Sequence, residues 1–394
     1  MKTLIKNGNI ILPDRVDYGG SVLIGDGRIL KINTADESEA DEVIDASGRF
    51  VMPGMIDIHS DMIESYIQPR STALMDFSMG FMEAERVLTM CGITTMFHSI
   101  SMYKEGAWDV KEIRRPSCVK KLVKLVSDYQ KGMRLIRHRY HLRYEIDNIE
   151  CYDEVKQMLE EKTVNLLSFM DHSPGQGQYR DLEIYRKHLE EGINEVSDAE
   201  FEEIVRREKE KDSLSFRQLK KMADLARSNG VSVASHDDDS VEKLQVNREF
   251  GVKISEFPVT LDIAREAVKQ GFLTVLGAPN ILLGGSHSGN LSAVDAIRAG
   301  AASILVSDYY PQALLQAVFR LHRDGELPLW EATALVTKNP AEAVGMDGEI
   351  GTIEEGKKAD LLIVSDEHAF PAVEKVFVDG SCIFGCNYRG RSGM

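Results

Sequence analysis

Apolar positions follow one rule at the two ends of the chain and another between them. Up to about residue 50 they alternate with polar ones in short runs, TLIKNGNIIL, SVLIGDGRILKI and DEVIDASGRFVMPG. Period-two alternation over such lengths predicts half-buried strands. Asn7-Gly8 and Asp26-Gly27 predict two-residue hairpin turns between them. The C-terminal end repeats the grammar in GEIGTIEEGKKADLLIVSDE and AVEKVFVDGSCIFG, with Asp379-Gly380 as a turn. The two ends together predict one small β unit assembled from both termini.

Between them, short apolar runs alternate with longer amphipathic, charged segments. Eight such runs are MIDIHSD (55–61), TTMFHSIS (94–101), RYHLRYEID (139–147), VNLLSFMDH (164–172), VSVASHDD (231–238), VKISEFP (252–258), LTVLGAP (273–279) and SILVSDY (303–309). Turn residues and helix-like stretches such as LDIAREAVKQG, SAVDAIRAG and QALLQAVFRLHRDG follow them. Eight strand–helix units in one domain predict an α/β protein, a (β/α)8 TIM-like barrel over 53–345, with a small β-sandwich domain from 1–52 and 346–394. One crossover is too long, and a helical insertion is expected at about 177–229, where Ser197-Asp198-Ala199-Glu200 has the form of a capping box opening a charged, solvated helix.

The strand ends carry the chemistry. Catalytic side chains of a barrel come from the C-terminal ends of its strands, and six of the eight runs end in metal-ligand residues: His59 and Asp61, Glu145, Asp171 and His172, His236 with Asp237 and Asp238, Glu256, and Asp308. Alternation places Asp57, His59 and Asp61 on one inward face, with Ile56 and Ile58 packing outward on helices. The third run would turn Arg139, His141, Arg143 and Glu145 inward. The expected ligands are His59, Asp61, Glu145, His172, His236 and Asp308, whereas Glu256 or Asp237 alone reads as a strand-end cap or hydrogen-bonded core group. Imidazole and carboxylate suit one or two divalent ions, zinc first and manganese second, and leave the open coordination position that hydrolysis needs. After the seventh run, Gly284-Gly285-Ser286-His287-Ser288-Gly289-Asn290 joins backbone freedom to two hydroxyls and an imidazole, so Ser286, His287, Ser288 and Asn290 are expected to bind phosphate there. Arg180, after the fourth run, is a second candidate phosphate fork.

Charge and cysteines narrow the partners. A net charge of −16 repels a polyanionic backbone and excludes broad nucleic-acid binding, although a local site can still take a small anion. Five scattered cysteines describe no disulfide framework and fit free thiols in a reducing cytoplasm. No apolar stretch is long enough to span a bilayer, and the N-terminus has no signal-peptide core. Whether the chain forms a homo-oligomer stays open.

Pro53-Gly54-Met55-Ile56-Asp57-Ile58-His59-Ser60-Asp61 resembles the P-G-x-I-D-x-H-x-H opening of the amidohydrolase superfamily, and Lys338-Asn339-Pro340-Ala341 with Gly356-Lys357-Lys358-Ala359-Asp360-Leu361 resembles its closing segment. The resemblance implies a metal-dependent distorted barrel with a side β-sandwich, and a proton-transferring Asp at the end of the eighth strand, here Asp308. Two departures stand out: Asp61 replaces a second His, and the fourth run has no Lys to bridge two metals. With Met170-Asp171-His172-Ser173-Pro174-Gly175-Gln176, Ala234-Ser235-His236-Asp237-Asp238 and the glycine-rich loop, the pattern is similar to the branch serving phosphonate metabolism. That branch implies hydrolysis of a ribose 5-triphosphate, carrying methylphosphonate at its anomeric carbon, to the 5-phosphate and pyrophosphate. The alternative is a C–N hydrolase or deaminase acting on a small polar substrate.

Overall fold

A computed structural model describes residues 1–34, 36–104, 111–132, 134–171, 174, 182–183, 185–186, 190, 197–285, 291–367 and 370–387. Within them, eight parallel strands form one sheet in chain order: β6 (Met55–Ser60), β7 (Ile93–Met102), β8 (Arg137–Glu145), β9 (Leu166–Met170), β10 (Ser232–His236), β11 (Ile254–Glu256), β12 (Leu273–Gly277) and β13 (Ile304–Val306). A parallel bridge between Ser60 and Asp308 joins the last strand's end to the first, so the sheet closes into a barrel. Its outer wall is covered by helices such as Phe77–Met90, Pro116–Lys131, Leu261–Lys269 and Ala313–Arg323.

The lumen is apolar at its floor. Ile56 and Ile58 share a buried cluster with Leu166, Ala234, Ile254, Val275, Ile304 and Val306. Strands on opposite sides of a barrel can meet only through its interior, so Ile56 and Ile58 face inward, not onto helices as alternation predicts. The reason is a register shift between Asp57 and Ser60 against β7. A bulge there resets the alternation, and His59 still turns into the lumen.

The terminal strands are β1 (Lys2–Ile11), β2 (Val16–Gly25), β3 (Arg28–Ile32), β4 (Glu42–Asp45), β5 (Phe50–Pro53), β14 (Leu361–Glu367), β15 (Phe370–Val378) and β16 (Ser381–Gly385). They make one mixed sheet in the order β16-β15-β14-β5-β1-β2-β3, with β4 beside β1. Ile29 of β3 and Phe377 of β15 stand near opposite ends of that order yet share one buried cluster, so the sheet curls over its own core. Asp26-Gly27 and Asp379-Gly380 both take positive φ and make tight turns, as their sequences predict. Asn7-Gly8 makes no hairpin: it lies inside β1 at a register shift, with Asn7 at φ 59°. A Cβ on Gly8 would sit 2.7 Å from Val51, so close strand packing and not chain reversal selects the glycine.

Two motif residues join sheet and barrel. Gly54 leads from β5 into β6 where a Cβ would come within 2.3 Å of Thr94. Asp360 is buried, accepts a hydrogen bond from the Asp379 amide at 3.0 Å and pairs with Arg137 at the start of β8. Of the stretch expected as an insertion, the helix Asp198–Lys209 starts at the Ser197/Glu200 capping box. The helix Phe216–Ser228 buries Met222, Ala223 and Ala226 against the wall ahead of β10.

Candidate metal centre

The C-terminal ends of the barrel strands gather polar groups over the apolar floor. His59 and Glu256 are buried, and His59 Nδ1–H donates to Glu256 Oε1 at 2.8 Å, leaving Nε2 for a ligand. His141, also buried, comes from the middle of β8. Its Nδ1–H donates to the Ile58 carbonyl at 3.0 Å, and its Nε2 lies 2.6 Å from Ser168 Oγ. Ser168 Oγ donates to Glu256 Oε2 at 2.6 Å, so the carboxylate holds the His59 ring directly and also holds the hydroxyl that lies beside His141 Nε2. One ligand atom from each of His59, His141 and Glu256 can be chosen so that all three lie within 4.8 Å of one another.

Burial does most of the electrostatic work. It holds the His59 imidazole far below its ordinary pKa, aided by the charge of Arg143, and lowers His141 to about 3 against the pull of Glu256. Both rings are neutral at physiological pH, the state in which imidazole ligates a cation. His236 stacks at a tilt 5.5 Å from His59 and is buried, yet neither ring nitrogen makes a hydrogen bond. Its Nδ1 lies 2.7 Å from Asp237 Oδ2 at an angle unsuited to one. A buried imidazole with both nitrogens orphaned, beside two neutral imidazoles and a carboxylate, is what a divalent cation of the zinc or manganese type would satisfy.

Backbone strain supports the same place. Asp237, Phe257 and Asp308 follow β10, β11 and β13 directly or by one residue, and all three take left-handed φ, 51°, 54° and 59°. Each amide still donates to the next strand: Asp237 to Glu256 O, Phe257 to Val275 O and Asp308 to His59 O. The ladder therefore holds three unfavourable conformers that turn the chain into the mouth. Lys243 braces the first, donating from Nζ to the His236 and Asp237 carbonyls at 2.9 and 3.0 Å. Burial raises the Asp308 carboxyl to about 7, helped by Asp61, Asp57 and Asp237 and opposed by Arg143.

The expected residues divide. His59, His236 and Asp308 meet around the three-residue group, and Glu145 is buried at the end of β8. Asp61 is half-buried and engaged from the side, with Arg114 Nη2 donating to its Oδ2 at 3.0 Å while Arg114 Nε spans both oxygens of Glu64. His172, Arg180, Ser286, His287, Ser288 and Asn290 lie outside the described residues. Sequence reasoning did not name His141 as a candidate ligand, weighed Glu256 and read it alone as a strand-end cap or core group, and missed Arg114 and Lys243. The inward face of β8 carried a signal for His141 and the strand-end position one for Glu256; nothing local marks Arg114 or Lys243.

A model of the amidohydrolase family matches residues 50–383. The chain is 31% identical over 390 residues, 97% of its own length and 100% of the relative's, to alpha-D-ribose 1-methylphosphonate 5-triphosphate diphosphatase of Escherichia coli K12. It is 24% identical over 98% of its length to a 5'-deoxyadenosine deaminase of Methanobrevibacter smithii, covering 88% of that protein. A crystal structure of an amidohydrolase superposes with a TM-score of 0.65 at 17% identity, covering 98% of this chain and 100% of that one, a likeness of fold. The five cysteines are free thiols, and no helix among the described residues is long and apolar enough to cross a membrane.

Proposed function

The chain belongs to the amidohydrolase family, and on that premise we propose that it is a divalent-metal-dependent diphosphatase of phosphonate metabolism. It cleaves ribose 1-methylphosphonate 5-triphosphate to the 5-phosphate and pyrophosphate in the cytoplasm. The observation that carries the metal-dependent hydrolysis is the convergence of neutral His59 and His141 with Glu256, next to a carboxyl poised to titrate near neutrality. The diphosphatase relative, aligned along nearly the whole of both chains, supports the substrate class.

His59, His141 and Glu256 would hold the cation, with His236 beside them and Asp61 and Glu145 around the mouth, and His172 is proposed as a further ligand. When bound, it supplies Lewis acidity toward the phosphoryl oxygens. Asp308 accepts a proton from the attacking water as the water oxygen bonds to the α-phosphorus and the bond to the bridging oxygen of the β-phosphoryl breaks, releasing pyrophosphate. Glu256 fixes the His59 ring, and Phe257, edge-on to His59 with centroids 5.0 Å apart, shields it from solvent. Ser286, His287, Ser288, Asn290 and Arg180 would steady the phosphate chain.

The test is a screen of ribosyl and nucleoside triphosphates with zinc- or manganese-loaded protein, reading pyrophosphate and ammonia together. Pyrophosphate from a ribose 5-triphosphate is the expected product. The deaminase relative favours a second reading, C–N hydrolysis, and ammonia from an adenosine-like substrate without pyrophosphate would select it.

A further inference from the structure

The inward face of β8 presents Arg137, Arg139, His141, Arg143 and Glu145 in turn from floor to mouth. Arg137 is neutralised by Asp360 and Asp379, and Arg139 Nη1 donates to the His138 carbonyl. Arg143 differs. Its Nε is buried and without an acceptor, and no carboxylate among the described residues pairs with its guanidinium. The side chain is only half-buried, so the fork reaches open space at the mouth. Its charge is felt at His59, His141 and Asp308, which sets it beside the candidate metal centre.

A second orphan adjoins it. Ser101 of β7 is the register partner of Arg143, and its Oγ is buried without a hydrogen bond. Ser99, two residues earlier, bonds His141 inside the lumen, so Ser101 shares that inward face. Buried donors are ordinarily satisfied, and a buried guanidinium Nε–H without an acceptor is costly. Two adjacent unsatisfied donors, one a rigid cationic fork, suit a tetrahedral oxyanion with several acceptor atoms.

We propose that Arg143 and Ser101 form an oxyanion subsite on the β7–β8 side of the mouth that holds a phosphorus oxyanion of the substrate. The proposal rests on the phosphorylated-substrate reading above. The group could be a phosphoryl of the triphosphate or the methylphosphonate, which share this chemistry.

Titration calorimetry of metal-loaded protein with inorganic pyrophosphate and, separately, with methylphosphonate tests it on the wild type, Arg143→Met, Arg143→Lys and Ser101→Ala. Charge-assisted hydrogen bonds predict that Arg143→Met weakens one anion by tenfold or more, on the order of the usual worth of such contacts. Arg143→Lys should recover part of the loss and Ser101→Ala lose a smaller part, with metal content and melting temperature unchanged throughout. The weakened anion identifies the group held. Wild-type affinity for both anions in Arg143→Met, or no binding of either by the wild type, overturns the subsite. If Arg143→Met does not fold, wild-type affinities in both Arg143→Lys and Ser101→Ala overturn it equally. Pyrophosphate release by the wild type with Arg143-independent binding sinks the subsite and leaves the diphosphatase reading. Arg143-dependent binding without hydrolysis of any triphosphate does the reverse.

Discussion

Two buried sets, each of two histidines and a glutamate, lie on opposite faces of the same barrel wall. Inside, His59, His141 and Glu256 each place a ligand atom within 4.8 Å of the other two. Outside, between β7, β8 and the helix Phe77–Met90, His98 Nε2–H donates to His138 Nδ1 at 2.9 Å and His138 Nε2–H donates to Glu85 Oε1 at 3.0 Å. The outer rings stack 5.2 Å apart, Phe81 packs on both, and Glu85 also takes the Leu135 amide at 2.8 Å. Residue types and burial match, but the outer set hydrogen-bonds in a line that leaves His98 Nδ1 without a partner, whereas the inner set gathers a ligand atom from each of its three residues. Composition does not distinguish a site from a buried polar strut; direction does.

The largest effect should come from a group that stands beside the inner set and has no counterpart in the outer one, the Asp308 carboxyl just past β13. Asp308→Asn keeps the size and an oxygen toward the centre but cannot take a proton, so kcat should fall by about 10² to 10⁴. Metal content, measured by elemental analysis, should hold. Equal loss of both would make Asp308 a ligand and nothing more.

Next come the anchors. His141→Ala and Glu256→Gln should each weaken metal affinity by roughly 10- to 100-fold in equilibrium dialysis, with little change in melting temperature. A metal-replete His141→Ala variant would erase the contrast, since the inner set would then be a strut like the outer one. A smaller effect belongs to pH. Because burial raises the Asp308 carboxyl to about 7, its basic form is lost as pH falls below that value. The kcat/KM of the wild type should therefore drop about tenfold per unit on the acid side, a limb that Asp308→Asn flattens.

Much of this architecture was legible in the chain. All eight apolar runs became barrel strands, both termini met in one sheet, and His59, His236 and Asp308 stand at strand ends as their positions imply. What was hidden depends on stagger and bulges. His141 sits four residues before the end of β8, a nine-residue strand, while β11 has three residues and ends on Glu256. Strand tilt brings mid-strand and strand-end residues together, and counting from strand ends cannot show it. The β6 bulge likewise turns Ile58 and His59 both inward, against simple alternation. Arg114 and Lys243 act from segments beyond the strands, where no periodicity points to the carboxylate or carbonyls they hold.

The smallest effect on turnover is expected outside the barrel, and it tests the comparison from the other side. His138→Phe keeps a ring among Phe81 and Tyr129 but removes the middle of the line, leaving Glu85 and His98 without that partner. Leaving buried polar groups unpaired costs about 1 to 3 kcal/mol, so denaturant unfolding at pH 7 should show a loss of that order while kcat and metal content stay near wild type. Its pH dependence has a definite sign. Burial lowers the pKa of His98 and His138 in the fold, whereas in the unfolded chain they titrate near 6.5. Below that value the unfolded chain binds protons that the fold refuses, so this contribution to stability is present above about 6.5 and is lost as pH falls. Glu85 acts in the same direction at lower pH, because burial, which would raise its pKa, is outweighed by the His138 hydrogen bond and the nearby amides. His138→Phe should flatten part of the decline between about pH 7 and 5. A variant as stable as the wild type but without turnover would carry the outer line into the mechanism, and the distinction between convergent and in-line sets would fail.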